Sequence, residues 1–285
     1  MEGPSVRVPA VAGVFYPDRE EELSEAVSAC FRSKLGPGAL GTATEDGGGR
    51  VLGLVVPHAG LVYSGPAAAY SYRDLSGQPK PKVVILLGPN HYGLGASLAV
   101  SPDRAWVTPL GPVLVDRELA ERLASSLPHA EFDALSHSRE HSLELQLPFL
   151  QVLYGNEVPI VPVSMGMEAY GQAEAVGEAL AAVLQGSDLV VVASSDFSHY
   201  VPTEVARNRD RYALDALRAI DPLAFRNAVA RHGITLCGEG PLVALLAAAR
   251  ALGGVRARVN TYYTSGAVTG DNERAVGYCS ATLWR

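Results

Sequence analysis

Three apolar runs in this sequence each close on a histidine: Val51-Leu-Gly-Leu-Val-Val-Pro-His58, Val83-Val-Ile-Leu-Leu-Gly-Pro-Asn-His91 and Leu189-Val-Val-Val-Ala-Ser-Ser-Asp196-Phe-Ser-His199. Unbroken Val/Ile/Leu runs of this length predict strands buried on both faces, the pattern of a parallel sheet. Open α/β sheets bind their ligands in the crevice at the carboxyl ends of the strands. Three such strands deliver three imidazoles to one edge, where a metal ion or a general base is expected.

The rest of the chain supplies the layers such a sheet needs. Helices are predicted over residues 19–32 with Asp18 as N-cap, 65–74, 117–126 capped by Asp116, 142–153, 168–185, 203–220, 222–232 and 239–252. Pro148 reads as a flaw that bends the 142–153 helix, whereas Pro222 after Asp221 sits at a favoured first helical position. Further strands are predicted at 97–101, 112–115, 158–163, 256–264 and 275–283, and the Gly-rich stretch 35–49 is a flexible loop without a phosphate-binding fingerprint. Strands and helices interleave without an internal repeat. The expected fold is therefore one α/β domain spanning residues 1–285, with a central mixed, largely parallel β-sheet flanked by helices.

Composition narrows the function. With 48% hydrophobic and 19% charged residues the chain is globular and not disordered. A net charge of −7 and the lack of any Lys/Arg cluster argue against a nucleic-acid partner. No apolar stretch approaches the roughly 20 residues that span a bilayer, and the first residues carry no secretory pattern. Three cysteines without a spaced framework fit a reducing cytoplasm.

His58 and His91 share one grammar: strand, proline, histidine, glycine. Their strand ends are expected to be neighbours. Asp196 is either a metal ligand, a group orienting a histidine, or a turn former. Cys237 immediately precedes a predicted helix, whose N-terminus is expected to lower the thiol pKa and favour the metal-binding thiolate. Cys30 and Cys279 read instead as small buried hydrophobes. His137-Ser-Arg-Glu140-His141 matches the H-x-x-E-H pattern of inverted zinc peptidases. That chemistry needs both histidines one turn apart on a long helix, and Ser136–Glu140 is a poor helix interior. His137 and Glu140 read more simply as a solvated loop, with His141 and Glu144 lining a pocket. No G-x-S-x-G elbow, P-loop or paired C-x-x-C appears.

An ordered set of segments runs from end to end: Ala12-Gly-Val-Phe-Tyr-Pro17, Val56-Pro-His-Ala-Gly-Leu-Val-Tyr-Ser-Gly65, Leu87-Gly-Pro-Asn-His-Tyr92, Glu140-His-Ser-Leu-Glu-Leu-Gln-Leu-Pro-Phe149, Ser194-Ser-Asp-Phe-Ser-His199, Leu236-Cys-Gly-Glu-Gly240 and Val276-Gly-Tyr-Cys-Ser280. In this the sequence resembles the Memo family, whose prokaryotic members are called AmmeMemoRadiSam system protein B. The resemblance implies a fold related to class III extradiol dioxygenases, with a metal site at the sheet edge. It implies His58 and His91 as metal ligands, and Cys237 as the third ligand where those dioxygenases use glutamate. It places His199 in the acid/base position, makes Asp196 a candidate additional ligand that shares the catalytic role, and gives Phe15 and Tyr63 as pocket walls. A thiolate in place of a carboxylate shifts the expected ion from oxygen-activating Fe(II) toward copper, zinc or softer iron chemistry. Iron or copper is the expected cofactor, and zinc is admitted by the same donors. The family name implies an accessory role beside a radical SAM enzyme and an AMMECR-type protein. The alternative it implies is a non-catalytic module that holds a small molecule or a peptide in the same pocket.

Overall fold

The computed structural model describes residues 5–39 and 49–285, so most of the loop predicted at 35–49 lies outside the described residues. The eight-stranded sheet runs, from edge to edge, Arg256–Thr264, Gly277–Trp284, Val51–Val56, Leu189–Ser194, Val83–Pro89, Ile160–Met165, Leu98–Val100 and Glu131–Phe132. The four central strands are mutually parallel. They are the strands whose apolar runs do not alternate, and they are buried almost without interruption. The outer strands Gly277–Trp284, Arg256–Thr264 and Leu98–Val100 pair antiparallel, which makes the sheet mixed. A second sheet of three strands joins Val6–Arg7, Ala105–Thr108 and Gly111–Leu114. Val6–Arg7 is too short to register as apolar periodicity, and Ala105–Thr108 was not predicted from the sequence.

The strand ends that carry His58 and His91 are not neighbours, contrary to expectation. Leu189–Ser194 lies between them and pairs with both. The crossover helix Leu61–Ser76 accounts for this. A helix about 10 Å wide covers two strand spacings of about 4.8 Å, so a strand leaving such a crossover readily skips one slot. The later strand fills that slot and sets Ser194 and Asp196 between the two histidines.

Two groups of helices flank the sheet: Glu20–Arg32, Leu61–Ser76 and Leu147–Tyr154 pack together, as do Ala173–Leu184, Thr203–Arg218, Pro222–His232 and Glu239–Leu252. The Asp116 and Asp221 carboxylates cap their helices by accepting from Leu119 and Ala224 amides, each at 2.9 Å. Asp18 makes no such cap. The first helix starts at Glu20, and its opening turn of Glu20, Glu21 and Glu22 complements the helix dipole instead. Pro148 is no interior flaw either. The segment opens as a 3₁₀ turn, Glu144–Gln146, and the α-helix Leu147–Tyr154 begins just before the proline, where a missing N–H costs nothing. No helix among the described residues is long and apolar enough to cross a membrane.

Candidate metal centre

His58 follows the Val51–Val56 strand and is fully buried. Its Nδ1 lies 2.7 Å from Ser194 Oγ. The Ser194 hydroxyl has one proton, which it donates to the Ser142 carbonyl at 2.9 Å. It must therefore accept from the imidazole, so His58 carries its proton on Nδ1 and keeps the Nε2 lone pair. Gln146 also donates to Ser194 Oγ at 3.0 Å, while its own carbonyl accepts from the Tyr72 hydroxyl at 2.9 Å. Burial, followed by the neighbouring imidazoles of His91, His141 and His199, depresses the His58 pKa and keeps the ring neutral.

His91, two residues past Val83–Pro89, is held by a carboxylate. Glu140 Oε1 lies 2.9 Å from His91 Nδ1, and Oε2 accepts the His91 backbone N–H at 2.7 Å. Glu140 is completely buried, not the solvated loop residue the sequence suggested. Burial alone would raise its pKa, but the bond from His91, the charges of the nearby imidazoles and the Ser142 amide outweigh it and hold the carboxyl near 2. The ionised carboxylate can only accept, so the His91 proton sits on Nδ1 and is donated to it, again leaving the Nε2 lone pair free.

His141 completes a group of three. Its ring stacks on His91 at 4.6 Å between centroids and lies 5.5 Å from His58. Phe15 meets it edge-on at 4.8 Å. Burial first, with the His91 and Arg7 charges beside it, lowers the His141 pKa to about 4 against the pull of Glu140. Its Nδ1 is buried and has no hydrogen-bond partner. One donor nitrogen from each of His58, His91 and His141 lies within 4.8 Å of the others.

Cys237 Sγ sits 3.1 Å from His58 Nε2 and receives the Asp196 amide at 3.3 Å. The lowered thiol pKa expected from its helix is not found. Cys237 stands one residue outside the Gly238 cap, and burial followed by the Asp196 carboxylate pushes the thiol pKa up. The protonated thiol thus donates to the His58 lone pair. Asp196 is itself buried and accepts the His58 backbone N–H at 2.8 Å; burial raises its pKa to about 6 against the pull of that amide and of His199. His199 is anchored on Thr235, donating its backbone N–H to Oγ1 at 2.8 Å and Nδ1–H to the carbonyl at 2.7 Å. Tyr63 is 40% exposed, and its carbonyl is fixed by the Tyr263 hydroxyl at 2.7 Å.

His137 does not join the cluster. It ends a 3₁₀ turn, Leu135–His137, and packs 5.4 Å from the Trp106 ring. The helix that an H-x-x-E-H metal site requires is absent there. The sequence did not single out Ser194 or Gln146 as supports of His58. A serine at the carboxyl end of a buried strand was the one available signal for Ser194; Gln146 gave none.

A family model described as "Memo-like protein" matches residues 7–282. The chain belongs to the Memo family. Among its Memo relatives, a MEMO1 family protein of Methanopyrus kandleri is 43% identical, with 98% of this chain and 99% of that one covered. One from Pyrobaculum aerophilum is 41% identical over the same shares. The crystal structure of an uncharacterized protein from Escherichia coli K12 superposes with a TM-score of 0.58 at 18% identity, covering 82% of this chain and 99% of that chain. That likeness concerns the fold alone.

The three imidazoles form a group that could hold a metal ion. Bonds of about 2.1 Å to nitrogen allow two donors on one ion to stand no more than about 4.2 Å apart. Imidazoles spread up to 4.8 Å therefore need to close by several tenths of an ångström. Two of them already have their tautomers set, and the third has a buried Nδ1 that makes no hydrogen bond and lies 3.6 Å from Glu140 Oε1. Cys237 can enter such a set only by losing its proton, which couples binding to pH.

Proposed function

We propose that this protein binds a single transition-metal ion, iron or copper, through His58, His91 and Cys237, with His141 as an adjoining donor. The observation that supports this reading most directly is the pair of imidazoles whose Nδ1 protons are committed to Ser194 and Glu140, leaving both Nε2 lone pairs unused by any acidic partner but the Cys237 thiol. When bound, such an ion supplies Lewis-acid and redox chemistry at the sheet edge. Around it the chain's own groups hold protons. Asp196, with its pKa near 6, can exchange one close to neutral pH, and His199 stands beside it as the second proton carrier. The soft thiolate favours Cu(I) and softer iron chemistry over a plain oxygen-activating carboxylate site.

Anaerobic titration with Fe(II) and with Cu(I), read by elemental analysis and isothermal calorimetry, tests the ligand set. His58→Ala and His91→Ala are expected to abolish stoichiometric binding, and Cys237→Ser to weaken it at least tenfold. Full affinity in Cys237→Ser, with loss in His141→Ala, would replace the thiolate by a three-histidine set. Oxygen uptake with catechols and thiols, compared between loaded and metal-free protein, then reads turnover.

A further inference from the structure

A groove of about 670 Å³ lies beside the histidine cluster, between the 13–18 loop and the helices Glu20–Arg32 and Leu61–Ser76. Its floor is apolar, made by Ala26, Cys30, Leu61 and Pro66. Val14 and Val62 form its lips and are 79% and 66% exposed, which adds apolar surface at the rim to the apolar floor. The volume is within the range of sites that enclose a ligand group or an apolar side chain with its neighbours.

The charges at the groove have one sign. Asp18 and Glu22 line it, and no lysine or arginine does. Glu22 shares its charge with the exposed Arg19 at 3.2 Å. Asp18 has no hydrogen bond or ion pair among the described residues, having failed to become the helix cap its position suggested. A free carboxylate at the edge of an apolar trough attracts a cation set next to an apolar group and repels an anionic one. Phe15 belongs both to the groove wall and to the edge contact with His141, so an occupant would lie next to the metal centre.

We propose that this groove docks a polypeptide segment of a partner protein in which an apolar side chain is followed by lysine or arginine. The apolar side chain fills the trough over Cys30 and Pro66, and the cation meets Asp18. Val14 and Val62 stand exposed at the rim, so the groove is open to solvent along its lips and admits an extended segment, which an enclosed pocket for a small amine would not. The lining residues include no lysine or arginine to receive a phosphorylated or otherwise acidic segment, and the one nearby cation, Arg19, is already paired with Glu22. The proposal does not depend on which ligands hold the metal.

Two pools of fluorescein-labelled, C-terminally amidated hexapeptides test this by fluorescence anisotropy against the metal-free full chain. Both carry Leu or Phe at the third position; one has Arg at the fourth, the other Glu. Saturable binding of the arginine pool only, weakening with added salt, is expected. Asp18→Asn should reduce affinity by about two- to fivefold, the size of an exposed charge pair. Ala29→Trp places an indole in the groove from an exposed helix position and should abolish binding. Val62→Lys does the same job at the lip should the tryptophan variant misfold. Metal titration of each variant should match the parent, which separates this proposal from the ligand set. Equal binding of the glutamate pool, no binding of either pool, or parent-like binding by both groove variants would overturn it.

Discussion

Ser194 shows how a single hydroxyl decides what a histidine can do. Its one proton goes to the Ser142 carbonyl, so the His58 tautomer is dictated rather than chosen. Removing the hydroxyl leaves His58 Nδ1 without its acceptor, while the Gln146 amide keeps the Pro57 and Ser142 carbonyls. Ser194→Ala is therefore expected to lower metal affinity about 10- to 100-fold, the usual effect of losing a hydrogen bond behind a metal-binding histidine. The ¹⁵N chemical shifts of His58 in the metal-free protein should change from a single Nδ1–H form to a mixture. An unchanged tautomer signature in that variant would contradict the assignment. Histidines at the ends of apolar runs were legible as site residues because their types and positions are unusual. Glu140 was not, because a carboxylate in a polar stretch looks solvated until the tertiary structure covers it. The Cys237 thiol was misjudged in its acidity for the same reason: the helix was visible in sequence, the burial was not.

At the level of elements, glycine marks where backbones close on one another. Gly177 in the helix Ala173–Leu184 lies against the neighbouring helix Glu239–Leu252; a Cβ there would stand 2.5 Å from both the Ala244 carbonyl oxygen and the Ala247 Cβ. A backbone carbonyl inside a helix cannot step aside. Gly177→Ala should thus destabilise the fold by about 1–3 kcal/mol, despite its better helix propensity, with the loss read from chemical denaturation midpoints. A gain in stability would show that the two helices are less tightly packed than described. Element existence was mostly readable from periodicity, and the helices Pro222–His232 and Glu239–Leu252 match their predicted bounds. Proline placement was not: whether Pro148 lies inside a helix or at its start depends on the 3₁₀ turn before it. That turn is held by tertiary bonds such as Arg7 to Glu144 at 2.6 Å, which join parts of the chain far apart in sequence.

For the whole molecule, buried neutral histidines make stability depend on pH. His137 and His141 have pKa values near 4 in the fold, chiefly through burial, against about 6.5 in the unfolded chain. Between those values the unfolded chain binds protons that the fold refuses, so stability falls as pH drops from about 6.5 to about 4. Glu140, held near 2, extends the loss below pH 4.5. Asp196 acts in the opposite direction, since its raised pKa favours the fold below about 4 and loses that contribution as pH rises through 6. Asp210 and Glu239, whose pKa values burial also raises, act with Asp196, and the lowered pKa of buried His58 adds to the histidine side, so the net change remains a loss. Urea denaturation of the metal-free protein should show a net loss of about 2–4 kcal/mol between pH 6.5 and 4.5, and a flat or rising profile would contradict this account. The sequence by itself determined the α/β class, the family and the two strand-end histidines, because buried strands, turns and strand-end imidazoles are written in local residue patterns. Only the tertiary structure decided that a third strand separates His58 from His91, that His141 joins them, and that Glu140 and Ser194 set their protons. Those outcomes depend on which distant segments share one buried volume, and burial fixes both the charge of a side chain and the direction of its hydrogen bonds.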